Sequence, residues 1–105
     1  MTTATLSVVE LDGAVRVLLR GDLDATSRRT VLETVEFAAV LSETVVLDLG
    51  AVAFLDAGGI GALLTAMSHA EERGIAVRVR GCSPRLRRVL ETVGLDPETL
   101  RRSSD

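Results

Sequence analysis

Residues 44–64 of the chain read TVVLDLGAVAFLDAGGIGALL, in which an apolar run passes through an aspartate into glycines and a second apolar pattern. The first part, Thr44–Leu49, is short and rich in β-branched residues, which predicts a central strand buried on both faces. In the second part, apolar residues recur at helical spacing, which predicts a helix. This helix should continue beyond the quoted stretch and end at Gly74, a glycine suited to the C′ position. A strand that leads directly into a helix is typical of an α/β fold.

The preceding part of the chain predicts a β-hairpin and a helix. Leu6–Val9 and Val15–Leu19 alternate as strands on either side of Asp12-Gly13, a dipeptide suited to a tight hairpin turn. An amphipathic helix is then expected to begin at Thr26 or Ser27, because apolar residues recur there at three- and four-residue spacing. Its candidate N-caps are Asp24, Thr26 and Ser27.

The rest of the chain adds one strand and one helix. Ile75, Val77 and Val79 alternate as a fourth strand, and Ser83-Pro84 opens a third helix that Gly94 and Leu95 should close. The predicted fold is α/β, a single domain over residues 1–105 with its core at about 5–95 and a short polar C-terminal tail. A mixed sheet of four to five strands carries helices in the order ββαβαβα.

Composition narrows the possible functions. The 105 residues are 47 % hydrophobic with a net charge of −3, and they include one cysteine, one histidine and no lysine. A disulfide, a multi-histidine metal site and Schiff-base chemistry are therefore excluded within this chain. The net negative charge and the presence of only two aromatic side chains, both phenylalanine, argue against binding of nucleic acid. The longest uncharged stretch, Ala57–Ala70, is too short for a membrane span, and the N-terminus has no signal-peptide pattern, so we expect a cytoplasmic protein.

Three segments in order resemble the STAS domain family, which includes anti-sigma factor antagonists and the tails of sulfate transporters. The segment Asp48–Leu64 is similar to the family signature, in which a strand passes through a Phe-hydrophobic-Asp stretch into a glycine-containing helix start. Gly21–Asp24 resembles the family's Gly-x-Leu-Asp turn. Cys82–Leu95 resembles its last helix, which begins at Ser-Pro and ends in Gly-Leu.

The resemblance implies a non-enzymatic interaction module without cofactor or metal. In the bacterial antagonist branch, such a domain binds an anti-sigma factor that is also a serine kinase and so frees a sigma factor. The kinase phosphorylates a Ser or Thr just before the helix glycine; that position is Gly58 here, and Ala57 precedes it. Neither residue has a hydroxyl, so no phosphorylation is expected at the family position.

The expected partner-binding surface is the Asp56–Gly61 turn flanked by the Gly21–Asp24 turn. Its residues are Asp22, Asp24, Asp56, Ala57, Gly58, Gly59, Ile60 and Gly61. Structural roles compete with this interpretation: Asp56 is suited to capping a helix, and the glycines to tight packing of the helix start. Serine, aspartate or glutamate at position 58 is expected to be accommodated at little cost in stability, provided that Gly58 does not have a positive φ.

Two other function classes remain open. The same fold could serve as an accessory STAS subunit of a transporter or as a scaffold subunit of a sensory complex, where a missing phosphoacceptor would matter little. A small nucleotide-binding enzyme has only the glycine cluster in its favour, and that cluster does not match the Gly-x-Gly-x-x-Gly spacing.

Overall fold

A computed structural model describes residues 3–92 of the chain and has the predicted order of elements. The strands are β1 (Thr5–Leu11), β2 (Ala14–Leu23), β3 (Thr44–Leu55) and β4 (Ala76–Arg80). The helices are α1 (Arg28–Leu41), α2 (Ala57–Glu72) and α3 (Pro84–Thr92), with a 3₁₀ turn at Ala25–Ser27 before α1. The predicted end of the third helix at Gly94 and Leu95 lies outside the described residues. Within residues 3–92, no helix is both long and apolar enough to cross a membrane.

The strands form one mixed sheet in the order β1-β2-β3-β4. β1 and β2 are antiparallel, and the two-residue turn between them has Gly13 at φ +73°, a conformation that favours glycine. β3 pairs in parallel with β2 on one side and with β4 on the other. The predicted hairpin, the interior position of β3 and the mixed α/β architecture are therefore confirmed.

One face of the sheet carries the hydrophobic core. Alternate residues of the three parallel strands β2, β3 and β4 are buried there: Val15, Val17, Leu19, Val45, Leu47, Leu49, Val77 and Val79. All three helices contribute side chains to the same cluster, α1 through Val31 and Val35, α2 through Leu63 and Met67, and α3 through Leu90. The described fold therefore has two layers, a sheet and a layer of helices.

The prediction that Thr44–Leu49 is buried on both faces was wrong. Val45, Leu47 and Leu49 are buried, whereas Val46 and Asp48 on the opposite face are only half-buried. The reason is the topology. The crossovers from β2 to β3 and from β3 to β4 run in the same direction, and right-handed crossovers of that kind place α1 and α2 on the same face.

The strand β3 is longer than predicted and continues to Leu55. Beyond Gly50 it runs beside the end of β2, where Asp22 pairs with Phe54 and Leu23 pairs with Leu55. The sequence did not reveal this continuation because Gly50 and Ala51 interrupt the apolar pattern. The extension carries the chain directly to Asp56 and the start of α2.

Candidate functional site: the exposed start of the second helix

The two turns expected to form the binding surface lie side by side. β2 and β3 are parallel neighbours, so their carboxyl ends meet at one edge of the sheet. The backbone N–H of Asp56 donates a hydrogen bond to the carbonyl oxygen of Leu23 at 3.3 Å. Residues 21–24 and 56–61 consequently form one continuous surface around the N-terminus of α2.

Asp56 is the N-cap of α2. Its backbone is extended, with φ −103° and ψ −175°, and its Oδ1 accepts a hydrogen bond from the N–H of Gly59 at 2.9 Å. Its carbonyl oxygen accepts a hydrogen bond from the N–H of Ile60 at 2.9 Å. The carboxylate therefore satisfies a helix N–H that would otherwise have no partner within the helix. The structural role weighed for Asp56 in the sequence is present in the molecule.

Asp24 holds the facing 3₁₀ turn. Its Oδ1 accepts hydrogen bonds from the backbone N–H of Thr26 at 2.9 Å and from the Thr26 hydroxyl at 2.5 Å. The Asp24 N–H in turn donates to the Oγ of Ser27 at 3.3 Å, which completes a capping box. The hydroxyl of Thr26 is the main cause that holds the pKa of the Asp24 carboxyl below its ordinary value.

Gly58 and Gly59 are required by close packing. A Cβ on Gly58 would lie 2.7 Å from the backbone nitrogen of Ala25, and a Cβ on Gly59 would overlap the carbonyl oxygen of Leu23. Both contacts are with backbone, which cannot rotate away. The tight-packing interpretation therefore holds for these two glycines. It does not hold for Gly61, where a Cβ would meet nothing within 4 Å.

The expectation that a side chain at position 58 costs little was wrong. It rested on the capping preferences of a helix start and on the sign of φ, and φ at Gly58 is not positive. The obstacle is instead the 3₁₀ turn, which packs against the first turn of α2. A serine, aspartate or glutamate at position 58 would have to displace Ala25.

The exposed residues of the site, which a partner can contact, differ from the residues whose hydrogen bonds stabilise the site. Ala57, the first residue of α2, is exposed; Asp22, Gly58 and Ile60 are half-buried, and Gly59 is buried. Asp56 and Asp24 are engaged by their backbone hydrogen bonds.

An apolar groove that sequence reasoning missed adjoins this turn. Its volume is about 310 Å³, and it lies between the end of β3 and the start of α3. Phe54 on one wall is 51 % exposed, and Val89 on the other is 37 % exposed. Val89 lies on α3, and only the packing of this helix reveals that the side chain lines an open groove. Arg85 lines the same groove.

Among residues 3–92, the acidic side chains of the site are those of Asp22, Asp24 and Asp56. No three His, Cys, Asp or Glu side chains in this range are placed to hold a metal ion. Burial raises the pKa of the Cys82 thiol, which keeps it protonated at neutral pH and unreactive. His69 is exposed on α2 beyond Met67, well away from the turn. The arrangement presents a small surface of fixed shape.

Comparison with known protein families accounts for this arrangement. The model of the STAS domain matches residues 5–104, nearly the whole chain. The chain belongs to the STAS domain family. The Asp56–Gly61 segment described above lies within the residues that the family model matches.

Solved structures share the STAS fold over most of the chain. An anti-sigma factor antagonist from Mycobacterium paratuberculosis matches with a TM-score of 0.74 and 22 % identity, over 98 % of this chain and 96 % of that one. The phosphorylated form of SpoIIAA, the Bacillus cell fate determinant, matches with 0.66 and 20 %, over 95 % and 98 %. A sulfate transporter family protein from Wolinella succinogenes matches with 0.74 and 20 %, over 91 % and 79 %. At these identities the likeness concerns the fold.

Proposed function

We propose that this STAS domain is a non-enzymatic anti-sigma factor antagonist that binds an anti-sigma factor with serine kinase activity and so frees a sigma factor. Likeness in fold to solved antagonists over nearly the whole chain supports the proposal. The observation that carries it is the joining of the two family turns through Leu23 and Asp56 into one exposed surface. Backbone and capping hydrogen bonds hold that surface in a fixed shape, which suits it to docking a protein.

The proposed contact extends from the turn into the adjoining groove. Ala57 and Ile60 present the first turn of α2, and Phe54 adds a large exposed ring beside it. Aromatic side chains that are exposed in the free protein are typical anchors of protein interfaces. Arg85 at the edge of the groove gives a charged rim, suited to a carboxylate of the partner.

We further propose that this domain is not switched by phosphate at the family position. Ala57 and Gly58 have no hydroxyl group to accept phosphate. The contact between Gly58 and Ala25 leaves no space for one at position 58 without movement of the 3₁₀ turn. The docking surface would therefore stay in its unmodified form, and release of the partner would depend on its concentration or on other signals.

The proposal is tested by displacement. Anti-sigma factors with kinase activity from the genome that encodes this chain are purified, each bound to its sigma factor, and the STAS domain is added. We expect it to bind one of them and to release the sigma factor, as followed by size-exclusion chromatography. If no anti-sigma factor binds, the proposal is wrong.

The glycine at position 58 also favours a second function. An accessory STAS subunit of a transporter, or a scaffold subunit of a sensory complex, does not need a phosphoacceptor, and a sulfate transporter family protein has the same fold. Co-purification of the tagged chain with a membrane transporter, or within one large assembly, would support this function. Sigma-factor release in the displacement assay would argue against it.

A further inference from the structure

The face of the sheet opposite the core carries a basic surface, which we call the outer face. Its members are the outward-pointing residues of the three parallel strands: Arg16, Leu18, Arg20, Val46, Asp48, Arg78 and Arg80. None of them belongs to the hydrophobic cluster, to which every described helix contributes. Within residues 3–92, the helix layer thus covers only the other side of the sheet.

The charge of the outer face is opposite to that of the chain. Four arginines stand there against Asp48, and Asp22 at the end of β2 is a second carboxylate on the same side of the sheet, whereas the whole chain has a net charge of −3. The Oδ1 of Asp48 already accepts a hydrogen bond from the N–H of Gly50 at 2.9 Å. The Nε–H of Arg16 is shielded from solvent and donates to no acceptor within the described residues. This guanidinium therefore has hydrogen-bonding capacity that the fold does not use.

The arginines form two rows on β2 and β4, with Val46 and Asp48 of β3 between them. Arg16 pairs in register with Val46, and Val46 pairs with Arg78. The rows on β2 and β4 are therefore separated by two strand spacings, about 10 Å. An α-helix with its side chains is about 10–12 Å wide, so one helix laid along β3 would reach both rows.

We infer that the outer face docks an acidic amphipathic helix of a partner protein. The apolar stripe of that helix packs on Val46 and Leu18, and its flanking carboxylates reach Arg16 and Arg20 of β2 and Arg78 of β4. Guanidinium groups bind carboxylates through two parallel hydrogen bonds, which favours arginine in such an interface. A helix in this position would complete a third layer on a sheet that is covered on one side among the described residues.

Two rival occupants fit the outer face less well. Single-stranded nucleic acid needs several aromatic side chains on which to stack its bases, and of the two phenylalanines Phe37 lies on α1 and Phe54 only at the far end of β3. An anionic lipid surface would use the charges but would not need the apolar side chains of Val46 and Leu18. The outer face is also separate from the start of α2, which lies in the helix layer, so both surfaces can be occupied together.

The probe is a fluorescein-labelled helical peptide with leucine along one stripe and glutamate on both flanks, compared with a scrambled peptide of the same composition. The variant is R20E/R78E, in which two exposed arginines of the outer face are reversed. The matched control is R28E/R73E, which changes the net charge equally at exposed positions of the helix layer. Circular dichroism verifies that both variants remain folded.

We expect saturable binding of the amphipathic peptide, at least tenfold weaker in R20E/R78E and unchanged in R28E/R73E. Chemical-shift changes should appear on β2, β3 and β4. Equal binding of the scrambled peptide would overturn the inference, since the face would then only attract negative charge. It would also be overturned by absence of peptide binding, by binding confined to phosphatidylserine vesicles, or by self-association of the chain that R20E/R78E abolishes. None of these outcomes bears on sigma-factor release, which depends on the start of α2.

Discussion

Gly58 lies so close to Ala25 that a Cβ on it would be 2.7 Å from the Ala25 backbone nitrogen and 2.9 Å from its Cα. The contact joins the first turn of α2 to the 3₁₀ turn that precedes α1. This close packing explains why glycine occupies position 58 without reference to any partner. A domain of this fold with serine or threonine at the same position would need the 3₁₀ turn to lie farther from α2.

Gly58→Ser is therefore expected to destabilise the domain, although serine is a good residue for a helix start. The added Cβ must push the 3₁₀ turn away, and overpacking of this kind costs about 1–3 kcal/mol. For a domain of this size, each kcal/mol lowers the melting temperature by about 4–8 °C. Thermal unfolding followed by circular dichroism measures the effect.

Gly61→Ala is the matched control, because Gly61 lies on the same helix and a Cβ there meets nothing within 4 Å. This variant should gain about 0.5–1 kcal/mol, since alanine favours a helix interior over glycine. If both variants shifted the melting temperature equally, the contact with Ala25 would not be the cause.

Asp56→Ala should remove the cap of α2. The N–H of Gly59 loses the acceptor it now has at 2.9 Å, and N-cap losses cost about 0.5–2 kcal/mol. Asp56→Asn retains an acceptor oxygen and should lose much less. Urea unfolding at neutral pH compares the two variants, and equal losses would show that charge, not capping, is the function of this carboxylate.

Asp24 should make stability depend on pH in the acid range. Its folded pKa is lowered, mainly by the Thr26 hydroxyl. Its contribution is thus complete above the ordinary aspartate pKa and is lost as pH falls through the lowered folded value. Thr26→Val should raise the pKa of Asp24, and Thr26→Ser should leave it low. Titration of the Asp24 carboxyl resonance by NMR tests both, and an unchanged pKa in Thr26→Val would contradict the assignment.

Ala57→Glu should separate docking from folding. Ala57 is exposed at the start of α2, where a negative charge favours the helix by about 0.3–1 kcal/mol. A partner that covers this residue would bury an unpaired carboxylate, so its affinity should fall at least tenfold. Ser68→Glu adds the same charge at an exposed position late in α2 and is the control. Unchanged affinity of Ala57→Glu for the anti-sigma factor, with the fold intact, would exclude this turn as the site.

The anti-sigma factor kinase should bind this domain and leave the turn unmodified. Mass spectrometry after incubation with the kinase and ATP should find no phosphate on residues 56–61, which contain no serine, threonine or tyrosine. Phosphate on Thr65 or Ser68 would show instead that the switch lies elsewhere in α2.

Local patterns in the sequence determined the elements and their order. The alternation around Asp12-Gly13, the β-branched run from Thr44 and the spacing after Ile60 each depend on residues that are neighbours in the chain. Asp56 as a helix cap was foreseeable for the same reason, since a capping side chain and the N–H that donates to it lie within one turn. These predictions needed no knowledge of distant contacts.

The tertiary structure alone decided what each element touches. The handedness of the two crossovers placed α1 and α2 on one face, so Val46 and the arginines beside it were left outside the core. The register of β2 with β3 brought Leu23 to Asp56 and Ala25 to Gly58. Such contacts join residues far apart in the chain, and their distances follow from strand pairing and packing, which periodicity along the sequence does not encode.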